Sequence, residues 1–241
     1  MINVYEIRKA GENMKVKLIA YTPNPDKICA IAAKNCVSQE IPEDVENLNS
    51  LIHAMSSGHV SVAENASFTF SIEGVSRVLE TQLVRHRIGT SFAIQSGRYN
   101  ARDPTNYVIP FDTEGLDDEI ISEYNNALRN LDDHLKEKGI KAEDRRYFYP
   151  QGLKTNIIMT MNGREALHFL SLRCCGRAQE EIRELANKML ELVKEVAPNI
   201  FSDAGPSCVQ RGYCVEGKKS CGLRPTMKEL LSSYEESHGK D

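Results

Sequence analysis

The chain has 241 residues, 41% of them hydrophobic, with 30 Lys and Arg set against 34 Asp and Glu for a formal charge of −4. That length supports a sizeable core in one domain, with or without an appendage. The near-balanced charge excludes a global field for nucleic acid or an anionic membrane.

No apolar run approaches a membrane span, and the start MINVYEIRKAGEN lacks a signal peptide's apolar core. Seven cysteines, an odd number that includes an adjacent pair, do not read as a disulfide framework. A cytoplasmic protein with reduced thiols is expected.

In chain order, Lys15 to Tyr21 reads as a strand, with Val16, Leu18 and Ala20 on one face. Pro23 and Pro25 break it. A helix follows over about Asp26 to Asn35, and another over Pro42 to Ser56, striped by Val45, Leu48, Leu51, Ile52 and Met55 and ended by Gly58. Ala66 to Ile72 alternates as a half-buried strand with Phe68, Phe70 and Ile72 inward. Val75 to Val84 reads as a helix, and Tyr107 to Pro110 as a short extended segment.

A long helix is expected from about Asp117 to Lys138, burying Ile120, Ile121, Tyr124, Leu128, Leu131 and Leu135. Arg164 to Leu172 and Gln179 to Val196 form a second helical group, the latter with a wide apolar stripe from Ile182 to Val196. From Phe201 onward the chain is rich in Gly, Cys and polar residues and is expected to be irregular, with fraying from Glu235. Few strands, long helices and a non-alternating order predict an α+β fold, an antiparallel-containing sheet packed with long helices.

The stretch RHRIGTSFAIQSGRY, from Arg85 to Tyr99, holds Arg85, Arg87 and Arg98 with no acidic residue among them. Guanidinium forks bind phosphate and pyrimidine oxygens in a plane, and Ser91, Ser96 and the glycines let backbone approach an anion. RHR alone is more often a helix C-terminal cap. The appended serine and arginine exceed what a cap needs.

Here the chain resembles the flavin-dependent thymidylate synthases, whose signature is RHR, a spacer, then a serine followed by an arginine. The resemblance implies reductive methylation of dUMP to dTMP, with FAD as hydride carrier, NADPH as reductant and methylenetetrahydrofolate as one-carbon donor. It covers about residues 30 to 200, so a catalytic domain is expected over 1–200 and a cysteine-containing extension over 201–241. The spacer IGTSFAIQ is one residue longer than the family's commonest form, and Ala93 and Ile94 stand where many members carry Asn and Glu.

Carried over from the resemblance, Gln82, Leu83, Val84, Arg85, Ile94, Gln95, Ser96, Gly97, Arg98, Arg146 and Arg173 are dUMP candidates. Arg173 takes the role of activating the uracil, because a fixed cation beside N3/O4 raises electron density at C5. Ser61, Glu64, Arg85, His86, Arg87, Ile94, Asn162, Gly163, Arg164 and His168 are FAD candidates, and His59 faces the folate. Cys36 falls where the family has a small polar residue near the flavin; read alone, it is a buried thiol.

No glycine-rich dinucleotide fingerprint is present, so FAD would be held without a Rossmann turn. The resemblance also implies a homotetramer with sites at subunit junctions. Cys208, Cys214 and Cys221 form C-x5-C-x6-C without a nearby fourth ligand, so no metal is expected. Two alternatives stay open: a paralogue that binds flavin and nucleotide with altered chemistry, and a non-catalytic nucleotide- or RNA-binding module.

Overall fold

The computed structural model describes residues 14–99, 102–109 and 117–238. Its strands are β1 (Lys15–Tyr21), β2 (Ser67–Ser76), β3 (Thr90–Ile94) and β4 (Lys154–Asn162). Its helices are α1 (Pro25–Asn35), α2 (Asn49–Ser56), α3 (Arg77–Leu83), α4 (Asp118–Glu137), α5 (Ala142–Arg145), α6 (Gly163–Arg173), α7 (Glu180–Val196), α8 (Ser207–Arg211) and α9 (Met227–His238). The strands form one sheet in the order β1-β2-β4-β3, and it is antiparallel, as an α+β fold requires.

The chain divides into two compact units. The first takes Met1–Lys17, Phe70–Arg87 and Ser91–Met159; the second takes Leu18–Thr69, Ile88–Thr90 and Thr160–Asp241.

In the first unit, Phe70, Ile72, Val75, Leu79, Leu83, Ile157 and Met159 are fully buried or nearly so. The inward alternation expected of β2 is found, but the strand runs on to Ser76, beyond the expected helix start at Val75. The chain turns helical only where the Ser76 Oγ accepts from the Leu79 N–H at 2.9 Å, a serine N-cap that ends the strand and starts α3.

The long helix α4 is present with Asp117 as its N-cap, and its expected buried face is found in part, with Leu128 buried and Ile121 and Leu135 half-buried. Asn125, Leu128 and Asp132 point inward, whereas Ile120, Tyr124 and Leu131 are 46%, 44% and 40% exposed. The reason is polar: the Asp132 carboxylate accepts from Arg145 Nε at 2.9 Å and from the Tyr149 hydroxyl at 2.7 Å, and pairs with Lys136 at 2.8 Å. This network seats Asp132 on the same inward face as Leu128, while Ile120, Tyr124 and Leu131 lie outside it. Tyr124 still meets Tyr107 edge to face at 5.6 Å. Tyr107 bridges Leu153 in the expected extended segment, whose last residue, Pro110, lies outside the described residues.

In the second unit, α2 is much shorter than expected, and Val45 and Leu48 fall outside it. The Asp44 carboxylate accepts from the Val45 N–H at 2.6 Å and Asn47 Oδ1 from the Asn49 N–H at 3.0 Å. Such local side-chain bonds compete with helical ones and hold 44–48 in turns. Ile52, expected on the buried stripe, is exposed.

Helices α6 and α7 stand where expected, and α7 buries Ile182, Leu185, Ala186, Met189 and Val193. The region after residue 200 is more ordered than the composition suggests. Phe201 is fully buried and packs edge to face on Phe68 at 5.3 Å, and α8 and α9 follow. α9 continues through Glu235, where fraying was expected. The Asp26 carboxylate, at the start of α1, accepts from the Asn199 N–H, the Asn199 amide and the Ile200 N–H at 2.9, 2.8 and 3.0 Å.

Candidate functional site

The signature does not form one loop. After α3 the chain turns through Arg85–Gly89, and β3 then occupies the middle of the spacer, a strand to which the sequence reading gave no element. Gly89 sits at φ +70°, and a Cβ there would lie 2.8 Å from the Asn162 Cγ. Only glycine fits without displacing Asn162.

Within the first unit, Gln82 is half-buried near the end of α3, and Arg85 and Arg87 are exposed, while His86 is buried. Leu83 is fully buried, so only its main chain is left to meet a ligand. Val84 and Ile94 are half-buried. The Gln95 N–H donates to the Asn156 carbonyl at 3.0 Å, which fixes the end of β3 on β4. Ser96 Oγ accepts from the Arg98 N–H at 3.2 Å.

The free charge expected of Arg98 is balanced from another segment. Its Nε and Nη2 both lie 2.9 Å from Glu143 Oε2.

Gly97 and Arg146 line a cleft of about 440 Å³ together with Arg77, Arg102 and Tyr149. Arg77 and Arg102 are additions that sequence reading missed, since a lone arginine outside any motif carries no signal. Arg102 reaches the Gln95 carbonyl at 2.8 Å and the Lys154 carbonyl at 3.1 Å, tying the signature to the sheet. Its buried Nε has no hydrogen-bond partner among the described residues. Burial, then the like charge of Arg77, pushes the Arg102 pKa down. Glu80, 2.8 Å from Arg77, is raised by burial against the pull of both arginines.

Within the second unit, Glu64, Asn162, Arg164 and His168 line a cleft of about 870 Å³ with Gly58, Ile88, Gly89, Asp203 and Gln210. Asn162 builds the corner: its Oδ1 caps α6 by accepting from the Glu165 N–H at 2.9 Å, and its N–H donates to the Gly89 carbonyl at 2.9 Å. Arg164 Nη1 meets Glu64 Oε1 at 2.6 Å, an ion pair with both partners about half exposed. Gly163 is buried behind the wall, against Ala63.

Ser61 and His59 are exposed and do not line this cleft. Nor does Arg173, the last residue of α6, which is half-buried and whose pKa burial lowers. Cys36 was expected to be buried and is exposed, its thiol donating to the Ala32 carbonyl at 3.4 Å near the open end of α1.

Fold and clefts together define an α+β protein with arginines lining two clefts, Arg164 in one and Arg77, Arg102 and Arg146 in the other. Residues 17–199 match the family model described as thymidylate synthase complementing protein. The flavin-dependent thymidylate synthase of Clostridium tetani is 44% identical over 242 residues, covering 90% of this chain and 96% of that one. That of Pyrococcus horikoshii is 45% identical over 246 residues, covering 92% and 100%.

Among solved structures, the flavin-dependent thymidylate synthase of Helicobacter pylori complexed with FAD and dUMP superposes with a TM-score of 0.65 at 28% identity, covering 79% of this chain and 99% of that one. The chain belongs to the flavin-dependent thymidylate synthase family, a family of enzymes.

Proposed function

We propose that the protein methylates dUMP to dTMP, with FAD, NADPH and methylenetetrahydrofolate. The observation that carries this reading is the wall of the larger cleft, where α6 sets Arg164 and His168 beside Glu64 from a distant segment. Its volume, about 870 Å³, lies toward the upper end of the ~300–1,000 Å³ range of ligand pockets. Arg164, His168 and the Asn162 amide suit a pyrophosphate, and so the residues fit FAD. Bound FAD supplies the hydride.

The chain's own residues bind and polarise. Arg77, Arg102 and Arg146 suit the nucleotide phosphate, with Gly97 allowing close approach. Gln82 offers one donor and one acceptor to a uracil edge. Arg173 stays charged even when partly buried, because guanidinium does not lose its proton in proteins. Placed beside N3/O4, it favours the anionic pyrimidine and raises electron density at C5.

Gln95, Ser96, Arg98, Ile94 and the main chain of Leu83 and Val84 frame the nucleotide. Arg85, His86, Arg87, Ser61 and Gly163 complete the flavin set, and His59 faces folate. The same reading includes a homotetramer whose sites are completed by neighbouring subunits. A division at residue 200 and a cytoplasmic location belong to the same reading.

Anaerobic turnover with dUMP, methylenetetrahydrofolate, FAD and NADPH tests it. Formation of dTMP, abolished in a folded Arg173→Ala variant, supports the assignment. Binding of flavin and dUMP without product overturns it in favour of altered chemistry.

A further inference from the structure

The family model ends at residue 199, so Cys208, Cys214 and Cys221 lie outside it. As a sequence pattern they were one ligand short. The fold supplies the missing thiol from the turn after α6: Cys175 shares one small enclosed void with all three, and Arg177 also lines it. A Cβ built at Gly176 would lie 3.5 Å from the Cys221 sulfur, so the Cys175 turn and the Cys221 loop are in contact.

Much of this backbone is already fixed. Arg183 Nη1 donates to the Gly176 carbonyl at 3.1 Å, and the Cys214 N–H donates to the Pro225 carbonyl at 2.7 Å. None of the seven cysteines forms a disulfide. Burial pushes the Cys208 thiol up, and the adjacent Cys214, Cys175 and Cys221 add to that rise.

We propose that Cys175, Cys208, Cys214 and Cys221 form a structural zinc site that ties the C-terminal segment to the end of α6. Four thiolates in a tetrahedron are the usual closed set for Zn²⁺, with Zn–S of about 2.3 Å and no open position for catalysis. The void has free space of about 10 Å³, enough for a single ion or water and too small for a cluster of several irons.

No three of the sulfurs lie within 4.8 Å of one another, so the ion must draw them in. Cys221 is exposed and Cys175 half-buried, so neither sulfur is locked in a packed core. Binding is balanced by proton release: Zn²⁺ plus four Cys–SH gives Zn(S-Cys)₄²⁻ and four H⁺. Arg177 and Glu216, of opposite charge, also line the void. The site has a structural consequence on each side, because Cys175 follows Arg173 by two positions, and Cys208 precedes Gln210, a wall residue of the larger cleft, by two.

The test uses the full chain, purified with reduced thiols, supplied with zinc and then freed of loose metal. Metal analysis is expected to find about one zinc per chain. Co²⁺ in its place is expected to give thiolate-to-metal charge transfer and the strong visible bands of a tetrahedral site. Cys175→Ser and Cys221→Ser, with folding checked by circular dichroism, are expected to lose the metal, while Cys36→Ser keeps it.

Should the variants misfold, the unaltered chain still decides. Zinc is expected to protect four thiols from a chromogenic disulfide reagent, and a chelator to expose them. Failure of fully reduced protein to bind Zn²⁺ or Co²⁺ overturns the proposal. So does retention of zinc in Cys175→Ser, iron and sulfide in anaerobically purified protein, or disulfides among the four.

Discussion

Gly89→Ala is the sharpest test of how the larger cleft is built. Alanine at φ +70° costs about 1–2 kcal/mol, because its Cβ crowds the following carbonyl in the left-handed region. The new methyl would also stand 2.8 Å from Asn162 Cγ, and the Asn162 side chain must then leave its capping position. Losing that cap costs about 1 kcal/mol, so the single variant is expected to lose about 2–3 kcal/mol in all. Asn162→Ala alone is expected to lose about 1 kcal/mol.

The cycle is decisive because the cap can be lost only once. In the Asn162→Ala background, Gly89→Ala should cost only its backbone strain, so the double variant falls short of additivity by about 1 kcal/mol. Urea unfolding of all four proteins, at matched slopes, measures it. Additivity within about 0.3 kcal/mol would show that the methyl never disturbs the cap, and would refute the reasoning.

Three other outcomes are expected. Asp26→Ala removes the acceptor of three hydrogen bonds, from Asn199 and Ile200; bonds to a charged group are worth about 1.5–3 kcal/mol each, so urea unfolding should show a loss of at least about 3 kcal/mol, and a loss under 1 kcal/mol would be contrary. Burial raises the Asp132 carboxyl, but Lys136, Tyr149 and Arg145 outweigh it and hold its pKa below the usual range. That contribution is present above the unfolded carboxyl pKa near ~3.9 and is lost as pH falls through the folded value; the stability gap between wild type and Asp132→Asn should therefore narrow as pH is lowered from 6 to about 2 in acid titrations of unfolding. Arg102→Lys and Arg102→Met are both expected to raise KM for dUMP by about tenfold, since a lysine cannot span the Gln95 and Lys154 carbonyls as a fork does; full rescue by lysine in steady-state assays would deny that role.

Elements governed by side-chain periodicity were legible in the chain. β2 announces itself through Phe68, Phe70 and Ile72, and α7 through its stripe, because burial there follows the apolar period, although Ser76 and Glu181 are buried too. α4 was legible as a helix and only partly in orientation: Leu128 was expected inward and is, but Asp132 shares that face, held by Arg145 and Tyr149 from a later segment. The over-long second helix failed on bonds that Asp44 and Asn47 make to their own neighbours. β3 was hidden by its motif, since TSFAI within the signature reads as ligand-binding loop. Of the site, the residues that gather in the larger cleft came from family likeness, whereas Arg77, Arg102 and Cys175 acquire meaning only from partners remote in sequence.

The contacts that close the second unit have a consequence for synthesis. Asp26 to Asn199, Phe68 to Phe201 and Thr69 to Thr160 each join residues on opposite sides of the stretch 70–159, most of which belongs to the first unit. A ribosome delivers the chain from one end, so α1 and β2 emerge long before the residues that complete them. The inserted stretch can begin to fold while its host waits, and the Phe68 face stays uncovered until about residue 200 is free of the exit tunnel. Slow translation of 160–200 therefore prolongs exposure of that face, and this is the interval in which a chaperone has most to bind.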